Sequence, residues 1–171
     1  VLCALDAVQS VGAFPIDMRE IGCDFATFAI RKYLCGLDTL GILYVRRESL
    51  GTLTPHTRGL FSVANPFDFD AMEQPLADGA KRFMLGTPAL VQVYSLQAAL
   101  KLHGQHPVFA RAAEVVQQAR ESITTAGYHV HGGSWPEANR SHILAVKREG
   151  KLLAEDLQAR LTAAKVAASP R

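Results

Sequence analysis

The segment from Phe25 to Val45, FATFAIRKYLCGLDTLGILYV, constrains the fold most strongly, because it holds two apolar runs joined by a short connection. The first run, Phe25 to Ile30, ends beside Lys32, and the second is Gly41 to Val45. Short apolar runs bounded by polar and glycine residues are typical of buried strands. A connection this short suits antiparallel neighbours better than a crossover. The segment therefore predicts two adjacent strands, with Lys32 at the carboxyl end of the first.

A further apolar run, Val1 to Leu5, ends at Asp6 in the same way. A continuous run of this kind is the form expected of a strand buried on both faces of a parallel sheet. In open α/β sheets the ligand crevice lies outside the carboxyl ends of the strands. If this strand is parallel to Phe25–Ile30, Asp6 and Lys32 face one pocket of a mixed sheet.

Lys32 has two interpretations at this level. Charged side chains mostly lie on protein surfaces, so a lysine taken alone is expected to face water. Partial burial at a strand end would instead favour the neutral amine, the form that performs Schiff-base chemistry. The context of the whole chain has to decide between the two.

The middle of the chain changes from loops to helices. Residues 46–80 are interrupted by prolines and predict loops with short strands. Thr87 is a good N-cap and Pro88 a good first helical residue, so a helix starting there presents a hydroxyl and free N–H groups to an anion. Gly104 is the expected stop. Helical spacing is shown by Leu90, Val93, Leu96 and Leu100.

A second helix is predicted from Pro107 to Gly127, followed by short strands at YHVHGG and Ile143–Val146. His129 and His131 alternate along the first of these strands, but no acid or cysteine accompanies them, and we expect no metal site. The helix has an apolar stripe at Val108, Ala112, Val115, Ala119 and Ile123. Further downstream, the sequence predicts a helix carrying Leu153, Leu157 and Leu161 and the beginning of a strand at Val166–Ala168.

Composition narrows the classes of function. The net charge of +2 comes from interspersed acids and bases without a basic stripe, which argues against a nucleic-acid partner. No apolar run has membrane length and no charged-then-apolar leader is present, which predicts a cytoplasmic protein without a membrane partner. The chain starts at Val1 inside an apolar run, so we expect a fragment. Cys3, Cys23 and Cys35 are odd in number and lack a CxxC spacing, which predicts buried free thiols.

Four segments, in this order and at these intervals, carry a resemblance: LDAVQSVGAFPIDMREIGCDF, FATFAIRKYLCG, LGILYVRRE and RFMLGTP. Together they resemble the class V aminotransferase family of PLP-dependent enzymes, which includes cysteine desulfurases, kynureninases and isopenicillin N epimerase-like proteins. The resemblance implies an α/β fold: the second half of a fold-type I large domain with a mostly parallel sheet, followed by part of a small α+β domain. The partial PLP-binding domain is expected at residues 1–90 and the partial C-terminal domain at residues 91–171, with the long helix between them.

The resemblance also implies roles for particular residues. Lys32 matches the lysine that holds PLP (pyridoxal 5'-phosphate) as a Schiff base and moves the proton at the substrate α-carbon. Asp6 matches the aspartate that pairs with the pyridine nitrogen, and Gln9 matches the glutamine that bonds the ring 3-oxygen. Gly86 and Thr87 match a segment that reaches across a homodimer interface to the partner's PLP phosphate.

The residues around the lysine depart from the family pattern. The family usually has a serine or threonine and a histidine just before the lysine, both serving the phosphate, where this chain has Ala29 and Arg31. A guanidinium still suits phosphate, whereas Ala29 offers no hydrogen-bonding side chain. After the lysine the family favours more glycines, so Leu37 and Thr39 are expected to alter that loop.

The predicted function is PLP-dependent chemistry on a small amino-acid substrate in a homodimer, either transamination or a cysteine desulfurase-like lyase reaction. A desulfurase uses a mobile cysteine from the small domain, and the three cysteines of this chain do not match it. The alternative is a non-catalytic remnant or degenerate paralogue that keeps the fold without PLP activity. The chain by itself is expected to be inactive, because the upstream half of the large domain and the substrate-carboxylate arginine are not in it.

Overall fold

A three-stranded mixed sheet organises the first part of the chain. β1 (Ala4–Asp6) runs parallel to β2 (Phe25–Ala29), with Asp6 opposite Thr27. β3 (Gly41–Val45) pairs antiparallel with β2 on its other side. The mixed sheet predicted from the apolar runs is therefore confirmed, and β1 and β2 finish at the same end of the sheet. We call this the carboxyl end and the opposite one the amino end.

β1 is shorter and more exposed than predicted. Residues 1–4 are exposed and Leu5 is only half-buried, so the prediction of a strand buried on both faces is wrong. The reason is the strand order β1-β2-β3, which leaves β1 at the border of the sheet with a single neighbour among the described strands. The cysteine prediction is confirmed for the free thiols, but the predicted burial is wrong for two of them: Cys23 is buried, while Cys3 and Cys35 are exposed.

The computed structural model describes residues 1–71, 73–147 and 154–169, with the side chains of 154–156 left out. α1 (Met18–Ile21) connects β1 to β2; Asp17 caps it by accepting hydrogen bonds from Arg19 N and Glu20 N. Short strands are predicted in residues 46–80, but the described part of this range forms 3-10 turns and an isolated bridge between Val63 and Leu76. The frequent prolines remove the N–H groups that longer ladders need.

Two long helices follow, α2 (Leu90–Gln105) and α3 (Val108–Thr125). The predicted start of α2 is wrong, because its N-cap is Ala89, which makes no side-chain capping bond, and Thr87 and Pro88 lie outside the helix. The predicted end of α3 is confirmed. Gly127 adopts a φ of 81°, and Tyr128 N donates to Ile123 O at 3.2 Å, which closes the last turn.

The remainder of the described chain is a small α+β arrangement. β4 (His129–Val130) pairs antiparallel with β5 (Val146–Lys147), and α4 spans Ala154–Ala163. The strand predicted at Ile143–Val146 is thus displaced toward its end, and residues 166–168 form no strand. Leu153, predicted to lie in a helix, falls outside the described residues. Within the described ranges, no group of three or more His, Cys, Asp or Glu side chains is placed to bind a metal.

The chain divides into two compact units, Val1–Phe109 and Ala110–Arg171, so α2 belongs to the unit that contains the sheet. The domain division at residues 90 and 91 stays a prediction. None of the helices in the described ranges combines the length and apolarity needed to cross a membrane.

Candidate functional site

The candidate site lies at the carboxyl end of the sheet, where the loops after β1 and β2 meet. Gly12, in the loop after β1, has a φ of 89° and packs against the backbone of the second loop. A Cβ at Gly12 would lie 2.5 Å from the carbonyl carbon of Tyr33 and 2.5 Å from Leu34 N, a distance that side chains do not reach. This backbone contact joins the segment that begins at Asp6 to the segment that carries Lys32.

Asp6 is the last residue of β1, and its side chain is exposed. Its Oδ1 accepts a hydrogen bond from Val8 N at 3.0 Å, which fixes the carboxylate at the start of the turn. Ala7 N donates to Thr27 O at 2.8 Å, and this hydrogen bond ties the start of the turn to β2. Gln9 lies in this turn and is exposed. The turn therefore presents a carboxylate and an amide to solvent.

Lys32 lies in a loop that we define as the lysine loop, residues 30–40. The lysine is half-buried, and its carbonyl accepts a hydrogen bond from Cys35 N at 2.9 Å. Gly36 N donates to Ile30 O at 2.8 Å, and Ile30 N donates to Leu40 O at 3.3 Å. These bonds close the loop on itself, which restricts where Lys32 can lie.

The lysine loop also contains two residues in the left-handed region that favours glycine. Cys35 has a φ of 60° and Thr39 a φ of 73°. For a β-branched residue such as Thr39 this conformation is strained, at a typical cost of about 1–3 kcal/mol. At Cys35 and Thr39 the backbone therefore adopts a conformation that favours glycine, although neither position carries one.

Arg31 is exposed and pairs with Asp38 across the lysine loop. Its Nε lies 3.3 Å from Asp38 Oδ1, and the two side chains are 52% and 69% exposed. Exposed pairs of this kind contribute roughly 0–1 kcal/mol, so an anion can compete for the guanidinium. Ala29, at the end of β2, brings only a methyl group to the same region.

Gly86 and Thr87 lie elsewhere, on the segment that precedes α2. Both are exposed. The neighbouring Leu85 packs so closely on Gly59 that a Cβ at Gly59 would lie 2.0 Å from Leu85 O. Because Thr87 does not cap α2, the capping argument for an anion site at Thr87 is wrong, and its role toward a partner's cofactor stays a prediction.

Sequence reasoning missed a hydrogen-bonded cluster around a buried carboxylate at the amino end of the sheet, which we call the amino-end cluster: Cys3, Asp24, Arg46 and Ser49. Asp24 is 3% exposed. Its Oδ1 accepts hydrogen bonds from Arg46 Nη2 and, at 2.5 Å, from Ser49 Oγ, while its Oδ2 accepts from Cys3 N at 2.7 Å. The cluster thereby connects the starts of β1 and β2 to the end of β3.

The hydrogen bonds of the amino-end cluster lower the pKa of Asp24. The Ser49 hydroxyl has the largest effect, followed by the Cys3 amide, and the Arg46 charge acts in the same direction against the opposing effect of burial. No local sequence motif indicates this cluster, because its members come from three separate places in the sequence: Cys3, Asp24 and the segment that holds Arg46 and Ser49. Its full set of internal partners indicates a structural role.

A family model described as aminotransferase class-V matches residues 1–169. An uncharacterized aminotransferase of Bacillus subtilis (strain 168), YcbU, is 38% identical over 127 residues, covering 70% of this chain and 33% of that protein. Probable cysteine desulfurase 2 of Mycobacterium leprae (strain TN) is 37% identical over 127 residues, covering 72% of this chain and 29% of that protein. The chain therefore spans about a third of the length of these curated relatives.

Solved structures agree on the fold. The apo structure of a cysteine desulfurase from Thermococcus onnurineus NA1 superposes with a TM-score of 0.82 at 21% identity, covering 97% of this chain and 41% of that chain. A C-DES variant with glycine covalently linked to the PLP cofactor superposes with a TM-score of 0.74 at 23% identity, covering 92% and 41%. The predicted partial fold-type I α/β fold is thus confirmed.

Proposed function

We propose that this chain, which belongs to the class-V aminotransferase family, supplies the lysine-bearing part of a PLP-dependent enzyme that acts on an amino acid. The observation that supports this most directly is the backbone contact of Gly12 with Tyr33 and Leu34, because it joins the Asp6 turn to the lysine loop. An acid, an amide and an amine then belong to one end of the sheet. A cytoplasmic location is part of the same proposal.

The side chains at the carboxyl end fit the ring of PLP better than its phosphate. Asp6 exposes a carboxylate and Gln9 an amide, which suit a protonated pyridine nitrogen and a phenolic oxygen. Lys32 is half-buried, as expected of an amine that is held toward a ligand. For the phosphate this segment offers the guanidinium of Arg31, while Ala29 contributes nothing.

When bound, PLP supplies an electron sink for negative charge at the substrate α-carbon. The proposed role of Asp6 is to keep a proton on the ring nitrogen through its negative charge, in the orientation that its bond to Val8 N fixes. Gln9 would donate a hydrogen bond from its amide to the ring oxygen. Lys32 would hold the cofactor through its amine, and the same amine, when free, would move the proton at the substrate α-carbon.

Two reaction types are proposed for this site, transamination and a cysteine desulfurase-like lyase reaction. The relatives support both, because YcbU carries the name aminotransferase and probable cysteine desulfurase 2 carries the other name.

A homodimer is the proposed assembly, with Gly86 and Thr87 directed to the partner's PLP phosphate. The support is an exposed apolar surface immediately after this segment. Leu90, Val91 and Tyr94 are 61%, 66% and 70% exposed at the start of α2. A continuous apolar surface of this kind marks an interaction site on a soluble protein.

The test is to reduce the PLP-loaded protein, as expressed from its gene, with borohydride and to locate the cofactor by peptide mapping. A single adduct on Lys32, absent from Lys32→Ala and retained in Lys81→Ala, is the expected result. Lys81 is a suitable control because it is exposed and lies in a separate 3-10 turn. If the complete protein forms no adduct, the proposal is overturned. The alternative is then a non-catalytic remnant that keeps only the fold, which Ala29 and Arg31 favour.

A further inference from the structure

The polar side of α2 faces the lysine loop. Gln92, Ser95, Ala99 and His103 recur at intervals of three and four residues, which places them on one face of the helix. Ala99 is 5% exposed and the other three are half-buried, whereas most of the stripe Leu90, Val93, Leu96 and Leu100 is exposed. The orientation of α2 is therefore set by contacts that its apolar spacing does not reveal.

Two of these side chains bind the part of the lysine loop that is strained. Nε2 of Gln92 donates to Thr39 Oγ1 at 3.0 Å, and Ser95 Oγ accepts from Leu37 N at 2.8 Å. Thr39 is the residue held at a φ of 73°. Residues in such conformations persist only where the surroundings over-determine them, and Gln92 and Ser95 provide two such restraints.

His103 binds the same loop next to the lysine itself. Its Nε2 lies 3.1 Å from the carbonyl oxygen of Tyr33, so the ring donates through Nε2. Its Nδ1 is buried with no hydrogen-bond partner among the described residues, and the ring packs on Phe109 at a centroid distance of 5.7 Å. The contacts that hold the ring are its packing on Phe109 and its hydrogen bond to Tyr33. Together they offset the cost of leaving the buried Nδ1 without a partner.

We propose that Gln92, Ser95 and His103 are positioning residues for Lys32: they hold the strained lysine loop against α2 and so fix where the amine lies. The proposal rests on the proposed function in one respect, that Lys32 is the reacting amine. They act through the lysine loop: Ser95 and His103 bind its backbone, and Gln92 binds the Thr39 side chain.

The first test uses the complete protein without cofactor and measures amide hydrogen exchange in the lysine loop. Ser95→Ala and His103→Leu are expected to raise exchange at residues 33–39 by roughly fivefold, the effect of one lost hydrogen bond. His103→Gln retains a donor near Nε2 and is expected to restore most of the protection. Gln97→Ala, on the exposed side of the same helix, is the matched control and should leave the loop unchanged.

A double substitution tests the link to strain. Thr39→Gly removes the strained side chain together with the oxygen that Gln92 binds. Gln92→Ala is expected to speed loop exchange in the parent protein and to have no effect in the Thr39→Gly background. Equal effects of Gln92→Ala in both backgrounds would contradict the restraint.

The second readout is the dissociation constant of PLP, followed by the absorbance of its Lys32 adduct. Ser95→Ala and His103→Leu are expected to weaken binding about five- to tenfold, while Gln97→Ala binds as the parent does. Parent-like affinity and exchange in both variants would overturn the positioning role. If the parent protein forms no adduct, the proposed function fails, and the exchange data still decide whether α2 restrains the loop.

Discussion

The carboxylates at the two ends of the sheet differ in burial and in the number of hydrogen bonds that they accept. At the amino end, Asp24 is buried and receives hydrogen bonds from a guanidinium, a hydroxyl and a backbone amide. At the carboxyl end, Asp6 is exposed and receives one bond, from Val8 N. Internal partners consume the bonding capacity of the first carboxylate and leave that of the second for a ligand. The amino end therefore stabilises the sheet, whereas the Asp6 carboxylate at the carboxyl end is exposed, as the proposed cofactor site requires.

The largest effect on stability is expected from Asp24→Ala. It leaves Arg46, Ser49 and the Cys3 amide without their shared partner, and unsatisfied buried groups cost more than the bond itself contributed. The midpoint of urea unfolding, followed by circular dichroism, should fall by on the order of 1 M. Asp6→Ala is the matched control at the other end, and an equal loss there would remove the contrast.

A second large effect is expected from Gly12→Ala, which is a test of the contact between the two loops. The new Cβ has no room beside Tyr33 and Leu34, and its φ of 89° adds strain of about 1–3 kcal/mol. Gly22→Ala is the control, because its φ of 72° is similar but no atom lies within 4 Å of its Cβ. The free energy of unfolding should drop more for Gly12→Ala. Equal losses would mean that the loops do not pack as described.

The pH dependence of stability provides a third comparison. Because the pKa of Asp24 is lower in the folded than in the unfolded chain, its contribution is complete above the unfolded value, about 3.8. That contribution is lost as the pH falls through the folded pKa. Urea titrations from pH 6 to pH 2 should therefore show the stability advantage of the parent over Asp24→Asn shrinking below about pH 3.8. A constant stability advantage across this pH range would contradict a lowered pKa of Asp24 in the folded chain.

The smallest effect is expected from Lys32→Ala. Side chains reserved for a ligand contribute little to folding, so the free energy of unfolding without cofactor should change by less than about 0.5 kcal/mol. Thermal unfolding with and without PLP measures this directly. A large loss in the absence of PLP would show that Lys32 is a structural residue.

The sequence predicted the parts of this molecule that depend on neighbouring residues. The apolar runs of β2 and β3 and the short connection between them predicted the mixed sheet, and the strand ends predicted that Asp6 and Lys32 lie toward its carboxyl end. Gly127 identified the end of α3 because a left-handed residue closes a helix. Each of these signals lies within a few residues of the feature it predicts.

The missed features depend on residues that meet only in the folded chain. Asp24, Arg46 and Ser49 are separated by more than twenty positions from at least one partner, and no spacing rule connects them. The orientation of α2 was missed for a related reason. Its apolar residues surround much of the helix, so spacing alone does not identify the face that Ser95 and His103 turn toward the lysine loop.

The most direct test of the contrast between the two ends is amide hydrogen exchange of the complete protein with and without PLP. PLP is expected to protect the Asp6 turn, residues 6–12, and the lysine loop, residues 30–40, while residues 22–24 and 46–49 of the amino end exchange at unchanged rates. Protection at the amino end, or binding of PLP without protection of the lysine loop, would contradict this assignment of the cofactor to the carboxyl end.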